Sequence, residues 1–176
     1  SPLRFFTAAL REQLAQNKIR FKGKVRFESI KKLPKTLINH TSEPLSHIIK
    51  AINSWSNNLS AEVVVLSMAQ KRKLRTTFAN GLGIVMSFAS SHLKWSDFTM
   101  TNGSGLFGST RVSPDQMTRL LSYMYTHRDQ YPDYLASLAA AGLDGTMKKR
   151  LVDLKGAEVY AKTGTLDGVS GLSGYI

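Results

Sequence analysis

Two short runs of residues hold the chemistry most readily available to this chain. Ser56-Asn57-Asn58 puts a hydroxyl and an amide two positions apart after an apolar helical stripe. Lys162-Thr163-Gly164-Thr165 puts an ammonium, two hydroxyls and a glycine at the end of an alternating segment. A hydroxyl paired with an ammonium can shuttle a proton to a leaving amine. An asparagine amide offers both donor and acceptor to a peptide bond. A lysine followed by threonine on a strand edge sets a charge and a hydroxyl near a carboxylate, and the next glycine lets a substrate backbone come close. A backbone N–H just beyond completes an oxyanion hole, worth about 3–4 kcal/mol of barrier. These residue types fit acyl transfer at a peptide carbonyl beside a free carboxylate. Each run alone is a weak signal, since an S-x-N triplet also reads as a plain helix end and short motifs recur by chance.

The elements that position these runs follow from periodicity. Leu3, Phe6, Leu10 and Leu14 fall at helical spacing and predict an amphipathic helix over 3–17. Lys22 to Ile30 alternates, which suits a strand, and Pro34 closes it. After the apolar pair Leu37-Ile38, Ser42 is a good N-cap with Pro44 in the first turn. Leu45, Ile48, Ile49, Ile52 and Trp55 then form one helical stripe ending at Ser56-Asn57-Asn58. Residues 60–70 carry mixed signals, Val63-Val64-Val65 against Ala61, Glu62, Leu66, Met68 and Ala69, and are read as helix. A helix over 75–91, weakened by Gly81 and Gly83, precedes a short strand at 97–101 and the turn Asn102-Gly103-Ser104-Gly105. Ser113-Pro114-Asp115-Gln116 combines a capping box, a first-turn proline and an acid, and Met117, Leu120, Leu121 and Met124 supply the buried face behind it. Short helices are expected at 131–140 and 145–151, a turn at Lys155-Gly156, a strand over 157–163 and a second strand from Gly168 onward.

Bulk properties exclude several classes. A chain of 176 residues supports one domain with a real core, or part of one, since a domain of about 150 residues buries roughly two thirds of its unfolded surface. No run approaches the roughly 18 apolar residues of a membrane helix, and Ser1-Pro2-Leu3-Arg4 is not a signal peptide, which leaves export open. With no cysteine there is no disulfide framework, thiol nucleophile or thiolate metal site. The net charge of +12 is uneven: residues 1–42 hold +8 of it. A solvated basic face is the plainest account of that segment, and an anionic lipid surface or acidic wall polymer are the alternatives. No zinc-finger spacing, RNP-type strand or basic zipper accompanies it, so nucleic acid is not an expected partner. His40, His47, His92 and His127 show no metal or triad spacing.

The wider pattern is more specific than either motif. S-x-x-K, S-x-N and K-T-G together mark serine β-lactamases and penicillin-binding proteins. His40-Thr41-Ser42-Glu43-Pro44-Leu45-Ser46, through Ile52-Asn53 to Ser56-Asn57-Asn58 and Ala61-Glu62, resembles the "H-T-S-P-P-L-S…I-N…S-N-N…A-E" stretch of class C low-molecular-mass penicillin-binding proteins. These are D-alanyl-D-alanine carboxypeptidase/endopeptidases of the penicillin-binding protein 4 type, peptidase family S13. Asn102-Gly103-Ser104-Gly105-Leu106, followed by Arg111, is similar to their "D-G-S-G-L" loop, with Asn102 in place of the acid and extra residues before Arg111. Gly142-Leu143-Asp144-Gly145-Thr146-Met147 through Arg150 resembles "G-x-D-G-T-L…R", and Lys162-Thr163-Gly164-Thr165-Leu166 through Tyr175 resembles "K-T-G-T-L…G-V-S…G-Y". The landmarks keep the family's order across residues 1–176.

The resemblance implies the penicillin-binding transpeptidase/β-lactamase-like α/β fold, an antiparallel sheet flanked by helices, here a C-terminal portion without the last strand and helix. It implies that Ser56 relays a proton, Asn58 holds the substrate amide, and Lys162, Thr163 and Thr165 bind the terminal carboxylate. Gly164 would admit the backbone and the Thr165 N–H would serve the oxyanion, with Ser104 and Arg111 lining a stem-peptide pocket. It further implies peptidoglycan stem peptides and β-lactams as ligands, no cofactor or metal, and a periplasmic or cell-envelope location. The family's S-x-x-K serine lies far upstream of S-x-N. Ser29-Ile30-Lys31-Lys32 sits on a basic segment too close to Pro34 for a continuing helix, and Ser91-His92-Leu93-Lys94 comes in the wrong order. The chain alone is thus expected to be inactive, its nucleophile supplied by the remainder of the same polypeptide. The rival reading is a non-catalytic peptidoglycan-binding relative, against which the intact S-x-N and K-T-G-T speak.

Overall fold

The helical spacing at the start of the chain produces α1, Pro2–Gln16. The computed structural model describes residues 2–28, 35–36, 38–154 and 156–176, grouped into two compact units, Ser1–Thr41 and Ser42–Ile176. In the first unit α1 ends where the Asn17 side chain donates to Gln13 O at 2.8 Å and Lys18 turns left-handed. Leu3, Phe6 and Leu10 stay exposed, so the spacing sets a helix without a buried face. The strand expected from Lys22 is absent over residues 22–28. Alternation needs a hydrogen-bonded neighbour, and none stands beside these residues among those described. Ser29, Ile30, Pro34, Leu37 and Lys155, on which other expectations fell, lie outside the described residues.

In the second unit, helix α2, Leu45–Trp55, begins later than its cap signal suggests. Pro44, not Ser42, holds the N-cap position, and its carbonyl accepts from His47 and Ile48. The middle of the apolar stripe is half-buried while Leu45 and Trp55 are exposed, and the fully buried residue is Ser54. That buried face is polar but satisfied. Ser54 Oγ donates to Ser137 O at 3.0 Å, and Asn53 Nδ2 donates to Ser137 Oγ at 2.8 Å. Ser137 lies on α6, Tyr131–Ser137. Helix α3, Asn58–Lys71, forms despite three consecutive valines and packs on α4, Phe78–His92. At this contact Gly81 does not weaken α4 idly: a Cβ there would stand 2.2 Å from Val65 O. Helix α5, Pro114–Thr126, starts with the complete capping box of Ser113 and Gln116. Its stripe residues Met117, Leu120, Leu121 and Met124 are half-buried, and the buried side chain is Gln116.

Two expected helical pieces are shortened. The 131–140 segment leaves the helix at Ser137, and Ala139–Ala140 become strand β1. Alanine prefers helix, but Ala139 is wholly buried and paired opposite Ala161. Within 145–151 only Gly145–Met147 winds, as a 3-10 turn. Strand β2, Tyr160–Leu166, starts three residues later than alternation predicts, because its pairing with β3, Val169–Tyr175, begins at Tyr160↔Tyr175. The order is β1-β2-β3, antiparallel throughout. Helix α2 lies against β1 and β2, and α5 against β3. One core cluster joins Ala139, Met147, Val159 and Ala161; another joins Ala89, Leu93 and Trp95 with Phe98, Val112 and Leu120 packed on it. The short strand expected at 97–101 is reduced to the bridge Thr99↔Arg111. Among the described residues no helix is long and apolar enough to cross a membrane.

Gly145 is where α2 meets the sheet. Its φ is +53°, and a Cβ there would sit 2.2 Å from Ser54 O and 3.1 Å from Ala139 Cβ. Gly168 also has positive φ, at +69°, but open space around it. Left-handed backbone costs an L-residue about 1–2 kcal/mol. Gly168→Ala should therefore lose about 1 kcal/mol in urea unfolding and Gly145→Ala at least about 2 kcal/mol, because the latter must also move backbone. Equal losses would contradict this account of the corner.

Candidate active site

The S-x-N triplet occupies the break between α2 and α3. Ser56 closes α2 in the left-handed conformation, φ 57° and ψ 45°, with its N–H donating to Ala51 O. Asn57 caps α3, its Oδ1 accepting the Ser60 N–H at 3.0 Å. Asn58 is the first residue of α3. The triplet is a helix end, and its left-handed turn leaves the Ser56 hydroxyl within reach of a strand far away in sequence.

That strand is β2. Lys162 Nζ donates to Ser56 Oγ at 3.0 Å and to Thr163 O at 2.5 Å. Burial pushes the Lys162 ammonium below the ordinary lysine range. Below the depressed folded value the buried charge costs stability, and the cost fades as pH rises through the window toward the ordinary lysine value. A depressed ammonium is also a better proton donor and shuttle near neutrality.

Thr163 is buried, and its hydroxyl donates to Thr146 Oγ1 at 2.8 Å, tying β2 to the 3-10 turn. To engage a carboxylate, that hydroxyl must exchange Thr146 for the ligand. Gly164 and Thr165 are exposed and pair with Gly171 and Ser170 of β3. A cleft of about 660 Å³ gathers Ser56, Asn58, Ser104, Lys162, Thr163, Gly164 and Thr165 in its lining. Arg111 stands apart from that lining: its backbone pairs with Thr99 at 2.9 and 3.1 Å and its side chain is exposed.

Residues 103–106 of the 102–106 loop also line this cleft. Asn102 Oδ1 accepts the Gly105 N–H at 2.6 Å, and its amide donates to Phe107 O, a bond a carboxylate at this position could not make. Glu62 was not singled out as a functional residue by sequence reasoning, although it ends the Ala61-Glu62 part of the resemblance. Its two oxygens accept the Gly103 and Ser104 N–H groups at 3.0 and 2.9 Å. Burial pushes the Glu62 carboxyl up, but hydrogen bonds from the Ser104 side chain and from the two N–H groups outweigh it and hold it below its ordinary value. At the far end of the sheet Tyr175 donates to Leu121 O at 2.8 Å, and burial beside Tyr134 and Tyr131 pushes its phenol up.

The model of the D-Ala-D-Ala carboxypeptidase 3 (S13) family matches residues 1–176. The chain belongs to the S13 family. The D-alanyl-D-alanine carboxypeptidase DacB of Haemophilus influenzae is 28% identical over 172 residues, 95% of this chain and 36% of that protein. The D-alanyl-D-alanine carboxypeptidase of Actinomadura sp. (strain R39) is 33% identical over 147 residues, 80% of this chain and 27% of that protein. The crystal structure of penicillin binding protein 4 from Haemophilus influenzae, solved with a β-lactam, superposes with a TM-score of 0.82 at 28% identity. It covers 96% of this chain and 40% of that one. This S13 chain thus spans between 27% and 40% of the length of these relatives. The mixed fold of helices and a three-stranded antiparallel sheet is the family's, as the motif order implied.

The Lys162–Ser56 pair gives the S13 site a measurable signature. By NMR of its side chain, Lys162 should titrate below the ordinary lysine value, and Ser56→Ala should lower it further by removing the acceptor that favours the charged form. An ordinary midpoint, unmoved by Ser56→Ala, would contradict the contact.

Proposed function

We propose that this chain supplies the S-x-N and K-T-G-T parts of a serine-type D-alanyl-D-alanine carboxypeptidase/endopeptidase that acts on peptidoglycan stem peptides through an acyl-enzyme. The observation that carries the reading is the 3.0 Å contact between Lys162 Nζ and Ser56 Oγ at the edge of one cleft with Asn58 and Thr165. Family membership and the names of the relatives support it.

In this reading a serine of an S-x-x-K motif, carried elsewhere in the same polypeptide, passes its hydroxyl proton to the lysine of that motif and attacks the carbonyl of the penultimate D-alanine. The tetrahedral oxyanion is held by the Thr165 N–H and a second N–H. Collapse breaks the peptide bond, and the leaving amine takes its proton from Ser56, which recovers one from Lys162. Asn58 holds the substrate amide and keeps the peptide in register along β2. Lys162 and Thr165 attract the terminal carboxylate, joined by Thr163 when it releases Thr146. Gly164 lets the substrate backbone lie close, and Ser104 borders the stem-peptide side chain, with Arg111 farther out on the same loop region. Water then hydrolyses the ester by the reverse proton path. β-lactams would enter the same cleft, since their carboxylate and strained amide present the same groups. Neither a metal nor a cofactor has a role in these steps. The segment 1–176 by itself is inactive in this reading.

A periplasmic or cell-envelope setting goes with the substrate. The exposed basic residues Lys22, Lys24 and Arg26 favour peripheral association with an anionic wall polymer. Reversing their charges should lower binding to isolated sacculi at low salt; undiminished binding would remove this role.

The enzymatic reading is tested by the intact mass of the full polypeptide before and after benzylpenicillin. One adduct is expected, on a serine outside residues 1–176, and Lys162→Ala should slow its formation at least about a hundredfold. No adduct would leave a non-catalytic peptidoglycan-binding relative, and an adduct on Ser29 would overturn the placement of the nucleophile.

A further inference from the structure

Asn58 and Glu62 are four residues apart on α3 and therefore share one helix face, a single turn apart. Asn58 borders the cleft directly. Glu62 reaches the 102–106 loop, where Oε2 accepts the Gly103 N–H at 3.0 Å and Oε1 the Ser104 N–H at 2.9 Å. Two successive backbone N–H groups turned to one side form a small anion-binding concavity. Here both oxygens of one carboxylate fill it.

The fit requires the loop to lie directly on the helix. A Cβ on Gly103 would stand 2.7 Å from Val65 Cγ2 and 2.9 Å from Ala61 O, so no larger residue fits without lifting the loop. The loop then closes on itself through the Asn102 Oδ1 bond to the Gly105 N–H and the Ser104 Oγ bond to the Leu106 N–H at 3.3 Å. Neither internal bond ties it to α3. The carboxylate of Glu62 supplies that tie, and with it the spacing between Asn58 and Ser104, which both border the cleft.

We propose that Glu62 is a positioning residue for substrate binding, a clamp that fixes the Ser104 wall at a set distance from Asn58 by holding the Gly103 and Ser104 N–H groups. This rests on the hydrolase reading above. It predicts an effect on capture of the stem peptide and little on the proton relay, because no hydrogen bond links Glu62 to Ser56 or Lys162 among the described residues. A carboxylate below its ordinary value remains charged through neutral pH and keeps the clamp closed there.

The test uses the full polypeptide with Glu62→Gln, Gly103→Ala and the double variant. Glutamine keeps the shape but turns an NH2 group toward one of two N–H donors. Alanine at 103 lifts the same loop from the other side. Hydrogen exchange at the Gly103 and Ser104 amides should accelerate at least about tenfold in each, as expected for losing a charge-assisted hydrogen bond. With a peptide ending in D-Ala-D-Ala, KM should rise at least about tenfold while kcat stays within about threefold. Because both changes break one contact, the double variant should be no more than about twofold worse than the poorer single. Unchanged exchange in Glu62→Gln would overturn the proposal. So would a parallel fall of kcat and Tm with KM unmoved, which marks a general structural role. If the unsubstituted polypeptide shows no turnover at all, the hydrolase reading fails, and the exchange measurement still decides whether Glu62 clamps the loop.

Discussion

A hydrogen bond between a strand ammonium and a helix-end hydroxyl, 106 residues apart in sequence, is the constraint around which the second unit is organised. For Lys162 to meet Ser56, α2 must end at one position against the sheet, and β2 must keep one register. The first condition is met by burying polar contacts rather than a greasy stripe. Ser54 and Asn53 are fixed to Ser137 on α6, and Gly145 brings the corner of the 3-10 turn onto the Ser54 carbonyl. Buried groups of this kind are costly when unpaired, so they specify a single arrangement better than interchangeable aliphatic contacts would. The second condition is met by pairing on both edges of β2 and by the Thr163–Thr146 bond beneath it. Lys50, 3.9 Å from Asp144, and the Ala140 N–H on Asp144 Oδ1 tie the same corner again.

The same arrangement sets the electrostatics. Lys162 lies far enough out of water to lose part of its preference for the charged form, yet Ser56 and the Thr163 carbonyl both accept from it. An ammonium poised between desolvation and two acceptors is suited to passing a proton and taking it back. Behind the 102–106 loop the balance is reversed: Glu62 sits among donors and stays ionised. The cleft thus borders a partly desolvated ammonium at Lys162 and a loop held by an ionised carboxylate at Glu62.

Much of this was legible in the sequence, unevenly. The S-x-N break, the capping box at Ser113 and the pairing of the last two strands are local signals with local causes, and the structure follows them closely. The α3 helix overrode three valines because Ala61, Val65 and Ala69 make a buried face at helical spacing. The departures have non-local causes. Ala139–Ala140 forms strand only because Ala161 lies opposite, and Ser42 loses the cap to Pro44 because the helix starts later than its first signal. Alternation from Lys22 gave no strand through residue 28, since alternation says nothing about a partner. Glu62 carried no functional signal of its own in the sequence, as its contact is with a loop forty residues on.

The central claim is that Ser56, Asn58, Lys162 and Thr165 face one substrate. It is tested most directly by a crystal structure of the full polypeptide acylated with a β-lactam. The account predicts the β-lactam carboxylate beside Lys162 and Thr165, its side-chain amide on Asn58, and the acylated serine outside residues 1–176 with its Oγ within about 3 Å of Ser56 or Lys162. An acyl group seated away from this cleft, or bonded to Ser56 itself, would contradict it.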